Sequence, residues 1–292
     1  MKTALFSGVC TALVTPFLDG RVNYPMVEQL LRLQIDAGIP AVVVCGTTGE
    51  SPTLTDEEKL TLFYRCKEYA GDSCKIIAGT GSNSTAHAIE LSVAAQEAGA
   101  DGLLIVSPYY NKATPKGLIA HYAAIAQRVS LPIILYNVPG RTGVDMPVSV
   151  YRQLSAIPNV VGVKEASADI TKILRILAAC PPDFSVWSGN DDQTVPVMAL
   201  GGKGIISVLS NVLPEKMLAM TRAAEAGNYT AAAALQKQLL PLTDALFSEV
   251  NPIPVKEAMK RIGFDCGNCR LPLTSISEEN GQKLSDALKH IR

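Results

Sequence analysis

Residues 160–167 read VVGVKEAS, and Lys164 ends a run of valines that otherwise reads as a buried strand. Burying an ammonium costs free energy unless it is paired or gives up its proton. Two readings stand. A lysine at a strand end can reach solvent or pair with its neighbour Glu165. Alternatively, burial favours the neutral amine, and a neutral amine attacks a carbonyl carbon to form an imine. Lysines perturbed in this way gather at functional sites. Strand alternation places 160, 162 and 164 on one face, where Gly162 would leave space beside the lysine stem.

Imine formation needs protons moved and water expelled, so a tyrosine ending a nearby strand matters. Tyr136, closing the run IILY, is either such a proton shuttle or a core tyrosine bonded to the backbone. Arg141 follows the turn after it and is either solvated or a bidentate clamp for a carboxylate. Thr47 and Thr48, in GTTGE, are either capping groups or small residues whose backbone N–H groups receive an anion. The other lysines fit less well. Lys203 precedes a strand and Lys112 sits in a loop.

No metal set is visible. His87, His121 and His290 are far apart in sequence, and two of them fall within helical patterns. Asp191 and Asp192 lack a third ligand and are expected to cap the helix after the seventh strand. The pair Cys266 and Cys269 in CGNC is a lone CxxC with no second pair and no preceding βαβ unit, and is read as structural.

What must position these side chains is a series of short runs rich in Val and Ile. They lie at 8–17, 41–50, 75–81, 102–110, 132–141, 160–167, 184–191 and 204–211. Each is too short for a helix and apolar at successive positions, as a strand covered on both faces should be. Helical segments separate them. One runs from about Asn23 to Gly38, and a Thr55/Glu58 capping box opens the next. Asn83 or Ser84 caps a third, and Thr114–Pro115 opens a fourth.

Eight strands alternating with helices predict a parallel sheet, and the count favours a (β/α)8 TIM barrel over a doubly wound open sheet. The expected division is a catalytic barrel over 1–224 and C-terminal helices packed on it over 225–292. The non-core residues fall after the strands, where barrel enzymes keep their sites, and this asymmetry points to an enzyme.

Composition sets the outer limits. Hydrophobic residues make up 48% of the chain and charged residues 18%, a globular balance. A formal net charge of −1 without charge blocks leaves no footprint for nucleic acid or an anionic membrane. No apolar run is long enough for a membrane span and no signal-peptide pattern opens the chain. Seven cysteines, an odd number at irregular spacings, predict free thiols and a cytoplasmic protein.

Together the motifs GTTGE, GTGSN, SPYYNK, YNVPGRTG, GVKEAS, GGKGIISV and NPIPVK resemble the dihydrodipicolinate synthase family, in that order and across essentially the whole chain. The family lies within the class I, pyruvate-dependent aldolase-like barrels. GTTGE and the arginine of YNVPGRTG look like the synthases. The related N-acetylneuraminate lyases typically carry Ser-Thr in the first motif and lack that arginine.

The resemblance implies that Lys164 forms an imine with pyruvate and that Tyr136 relays protons through Thr47 and Tyr110, the last lent by a neighbouring subunit. It further implies that the Thr47–Thr48 backbone holds the pyruvate carboxylate and Arg141 that of aspartate semialdehyde, with Gly189 and Ile206 lining the site. No metal or organic cofactor is expected. A homotetramer built as a dimer of dimers is implied.

Many family members are inhibited by lysine. The matching positions are Ser51, Pro52, Asp56, Lys59, Asn83, His87 and Tyr109. This chain departs from the strongly sensitive pattern, which has histidines at 56 and 59 and glutamate at 87, so weak or absent inhibition is expected. The alternatives are an aldolase or lyase joining pyruvate to another aldehyde, and a silent member that senses a keto acid. An intact set of proton-relay residues argues against the second.

Overall fold

The computed structural model describes residues 2–289. Eight strands close into a parallel barrel. They are β1 (Gly8–Ala12), β2 (Ala41–Val44), β3 (Lys75–Gly79), β4 (Gly102–Val106), β5 (Ile133–Asn137), β6 (Val160–Glu165), β7 (Ser185–Ser188) and β8 (Gly204–Ser207). Each pairs with its sequence neighbours, and β8 pairs with β1 to shut the barrel. That seam needs glycine. Gly8 stands opposite Gly204, and a Cβ on Gly204, whose φ is +131°, would lie 1.8 Å from the Gly8 carbonyl oxygen.

The intervening helices begin with α1 (Tyr24–Ala37), α2 (Asp56–Ala70), α3 (Thr85–Glu97) and α4 (Pro115–Ala126). Their ends are set by local chemistry. Asn23 caps α1, which stops at a left-handed Gly38. At α2 the Thr55 hydroxyl accepts from the Glu58 N–H at 3.2 Å, and Glu58 accepts from the Thr55 N–H at 3.0 Å. Ser84 caps α3 and Thr114 caps α4. Next come α5 (Val148–Leu154), α6 (Ile170–Ala179), α7 (Thr194–Ala199) and α8 (Pro214–Glu225). Three C-terminal helices follow: α9 (Tyr229–Leu246), α10 (Ile253–Arg261) and α11 (Glu278–Lys289).

Two apolar layers result. An outer one lies between strands and helices, and an inner one, including Cys10, Val43, Ile77, Leu104, Ile134 and Ile206, fills the barrel. Phe6 stacks on Trp187 at 4.8 Å between ring centroids, placing an aromatic plug beside the amino end of β1.

Strand alternation fails at one point on β6. The register between β5 and β6 slips at Ile133/Ile134. Val160 therefore joins the outer layer and Val161 the inner one, so 160 does not share the face of Lys164. Nor does Gly162 leave open space. A Cβ there would stand 2.2 Å from the Ser185 carbonyl oxygen and 2.7 Å from Trp187. The glycine lets β7 and the indole close in. Asp191 also differs from expectation. It caps no helix after β7, but lies buried and accepts from the Ser207 hydroxyl and from the Val208 and Leu209 N–H groups. It ties the end of β7 to the turn after β8.

Candidate active site

Lys164 and Tyr136 are directly paired across β6 and β5. Both are buried, and the Lys164 Nζ lies 4.5 Å from the centre of the Tyr136 ring. The following residues, Asn137 and Glu165, point to the other face. Glu165 accepts from Asn137 Nδ2 at 2.8 Å, the Tyr151 hydroxyl at 2.8 Å and the Ser167 N–H at 2.9 Å, with Lys172 Nζ at 3.7 Å. Glu165 thus has a full set of partners of its own and does not pair with Lys164. Burial and then the Glu165 charge push the Tyr151 hydroxyl well above its ordinary pKa, so it remains a donor.

Among the described residues four lysines are buried. Lys59 pairs with Asp56, Lys172 with Asp145 and Glu165, and Lys256 with Glu50. Lys164 is in no ion pair and faces an aromatic ring, its charge reaching the buried Asp191 carboxylate only at longer range.

Tyr136 opens onto a cavity of about 630 Å³ at the carboxyl end of the barrel, lined also by Thr47, Arg141 and Thr142. Thr47 is partly exposed there, and Thr48 is buried behind it. Ile206 belongs to the inner layer. Gly189 donates its N–H to the Glu165 carbonyl at 2.7 Å, and a Cβ on it would stand 2.5 Å from that of Ala166. Of the proposed relay, Tyr110 alone stands apart. It is 89% exposed, with a left-handed φ of +71°, and does not line the cavity.

The residues matched to a lysine site line the far side of the same cavity: Ser51, Pro52, Asp56, Lys59, His87 and Tyr109. Asn83 does not line the cavity; its carbonyl accepts from Asn111 at 2.9 Å. Asp56 bridges the two bases, at 2.9 Å from His87 Nε2 and 3.3 Å from Lys59 Nζ. The His87 hydrogen bond, and then that of Lys59, holds its carboxyl below the usual carboxylate range.

Sequence reasoning missed Asn251. Its side-chain amide donates to the Thr48 hydroxyl at 3.0 Å, and its carbonyl accepts from Arg141 at 3.1 Å. One residue thereby ties both expected carboxylate holders to the C-terminal helices. It also missed the buried Lys256–Glu50 pair at 2.9 Å. The motif NPIPVK contains both Asn251 and Lys256, but nothing local in it shows what they touch.

The seven cysteines are free thiols among the described residues. Burial pushes Cys266 and Cys269 up to about 12, which leaves both unreactive. No cluster of three His, Cys, Asp or Glu side chains forms a metal site among the described residues. His290 lies outside them. No helix among them is long and apolar enough to cross a membrane.

The dihydrodipicolinate synthetase family model matches residues 5–291. The 4-hydroxy-tetrahydrodipicolinate synthase of Acetivibrio thermocellus is 46% identical over 289 residues, covering 99% of this chain and 98% of that one. That of Moorella thermoacetica is 49% identical over 282 residues, covering 96% and 97%. The crystal structure of the dihydrodipicolinate synthase from Thermotoga maritima superposes with a TM-score of 0.97 at 43% identity, covering 99% of each chain. With its closed barrel and a buried, unpaired lysine at the end of the sixth strand, the chain belongs to the dihydrodipicolinate synthetase family.

Proposed function

We propose that the protein is a 4-hydroxy-tetrahydrodipicolinate synthase, condensing pyruvate with L-aspartate-4-semialdehyde through an imine on Lys164. This is the first committed step towards lysine and diaminopimelate. The observation that carries the reading is the contrast among the buried lysines. Three are neutralised by carboxylates, and the fourth is left facing Tyr136 beside a substrate-sized cavity. A lysine held in an ion pair is committed to its carboxylate, whereas one without that partner can turn its nitrogen to a carbonyl carbon.

The Lys164 amine attacks the keto carbon of pyruvate, and loss of water from that carbon leaves the imine. Tyr136 supplies the proton that the departing hydroxide needs. It exchanges protons with solvent through Thr47 and through Tyr110 of a neighbouring subunit. Loss of a methyl proton gives the enamine, whose carbon adds to the aldehyde, and the new alkoxide takes a proton. The amino group of the semialdehyde then attacks the imine carbon, closing the ring and expelling Lys164. Throughout, the Thr47–Thr48 backbone N–H groups hold the pyruvate carboxylate and Arg141 that of the semialdehyde, with Gly189 and Ile206 as walls. Every step is acid–base or covalent chemistry of these side chains.

The protein assembles as a homotetramer, a dimer of dimers, and the 89% exposure of Tyr110 leaves its side chain open to a neighbouring subunit. The free cysteines fit a reducing cytoplasm.

The test is pyruvate consumption with aspartate semialdehyde and with a panel of sugar aldehydes, and borohydride reduction with pyruvate alone. A reduced adduct at Lys164 and turnover with the semialdehyde alone are expected. Lys164→Ala should lose at least about a thousandfold in rate. Turnover only with a sugar aldehyde would keep the imine and sink the synthase assignment.

A further inference from the structure

Two charged side chains buried at the mouth of the barrel have no part in that chemistry. Glu50 and Lys256, 206 residues apart, form an ion pair at 2.9 Å with side chains 1% and 3% exposed. Lys256 also donates to the Asn268 carbonyl at 3.1 Å and lies 4.3 Å from the Phe17 ring centre. The other Glu50 oxygen accepts the Arg270 N–H at 2.8 Å.

Stability alone is a weak account of such a pair, since apolar side chains of similar volume hold a buried space as well or better. Its position suggests another role. Glu50 closes the turn that carries Thr47 and Thr48, with a left-handed φ of +56° that few non-glycine residues adopt. Its N–H donates to the Thr47 carbonyl at 3.1 Å. The preceding carbonyl, that of Gly49, accepts from the Thr15 hydroxyl at 2.7 Å. The turn is thus held from the barrel by Thr15 and from the C-terminal helices by Lys256, with Asn251 gripping Thr48 between them.

We propose that Lys256 is a positioning residue: through Glu50 it fixes the backbone of the Gly46–Glu50 turn in the conformation that receives the pyruvate carboxylate. The start of α10 is then a working part of the substrate site. This inference rests on the turn's being the carboxylate holder.

The test is borohydride trapping of the Lys164 adduct as a function of pyruvate concentration, which needs no aldehyde. Glu50→Gln keeps the shape and removes one charge, and Lys256→Met removes the other. In each, half-saturating pyruvate should rise about tenfold or more, with the maximal trapping rate within about threefold of wild type. Lys256→Arg should recover much of the loss. Should a single variant not fold, Glu50→Gln with Lys256→Met leaves no unpaired charge and should show the same rise. Wild-type half-saturation in a folded variant would overturn the proposal. So would loss of trapping only in proportion to loss of folded protein. Absence of any adduct in the wild type would overturn the imine reading as well, whereas an adduct with unchanged half-saturation overturns the positioning role alone.

Discussion

A lysine buried beside an aromatic ring and a lysine buried beside a carboxylate are chemically different objects, and this chain holds both. Lys164 could be picked out from sequence because it interrupts an apolar strand, and Tyr136 because it ends one. At the lysine-site positions, Asp56 already joins Lys59 and His87. An incoming lysine ammonium would meet one cationic side chain and a carboxylate with its partners in place. Free lysine at millimolar concentration is therefore expected to inhibit by less than about twofold. A steady-state assay with and without lysine checks this, and strong inhibition would contradict it. Asn251 and Lys256 escaped notice because their partners, Thr48 and Glu50, stand 203 and 206 residues away. No local spacing encodes such contacts.

At the level of elements, caps were legible because a helix end is decided by a few adjacent residues, as at Thr55 and Gly38. The slip on β6 was not, since it depends on the register with β5 and on how closely the Trp187 ring approaches Gly162. Asp191 was misplaced for the same reason: its donors come from the turn after β8. The contact between α3 and α4 carries a pH dependence. His121 of α4 meets the Thr85 hydroxyl of α3 at 2.9 Å, and burial lowers its ring from 6.5 to about 4. The unfolded chain takes up this proton near 6.5 and the folded chain only near 4. The contribution is whole above 6.5 and is lost as pH falls from there towards 4, at up to about 1.4 kcal/mol per unit. Urea midpoints measured from pH 7 to 4.5 should fall less steeply for His121→Gln than for the wild type. Parallel curves would remove His121 as the cause.

For the whole molecule, the exposed Tyr110 turns oligomerisation into a kinetic question. Sedimentation should give a tetramer. Lys164→Ala and Tyr110→Phe proteins, each nearly inactive, should gain activity when unfolded together and refolded, because sites in mixed assemblies recover both groups. No gain would mean that the tyrosine serves its own subunit. The barrel as a whole was legible from the count and spacing of apolar runs, including the closure of the last run on the first; the glycine pair at that closure was not. The seam between Gly8 and Gly204 joins strands made far apart in time on the ribosome. Until residues 204–207 emerge, β1 keeps one open edge, and open edges invite pairing with other chains. The nascent chain therefore depends on timing, and slow translation through the second half should favour aggregation more than slow translation after the seam has closed.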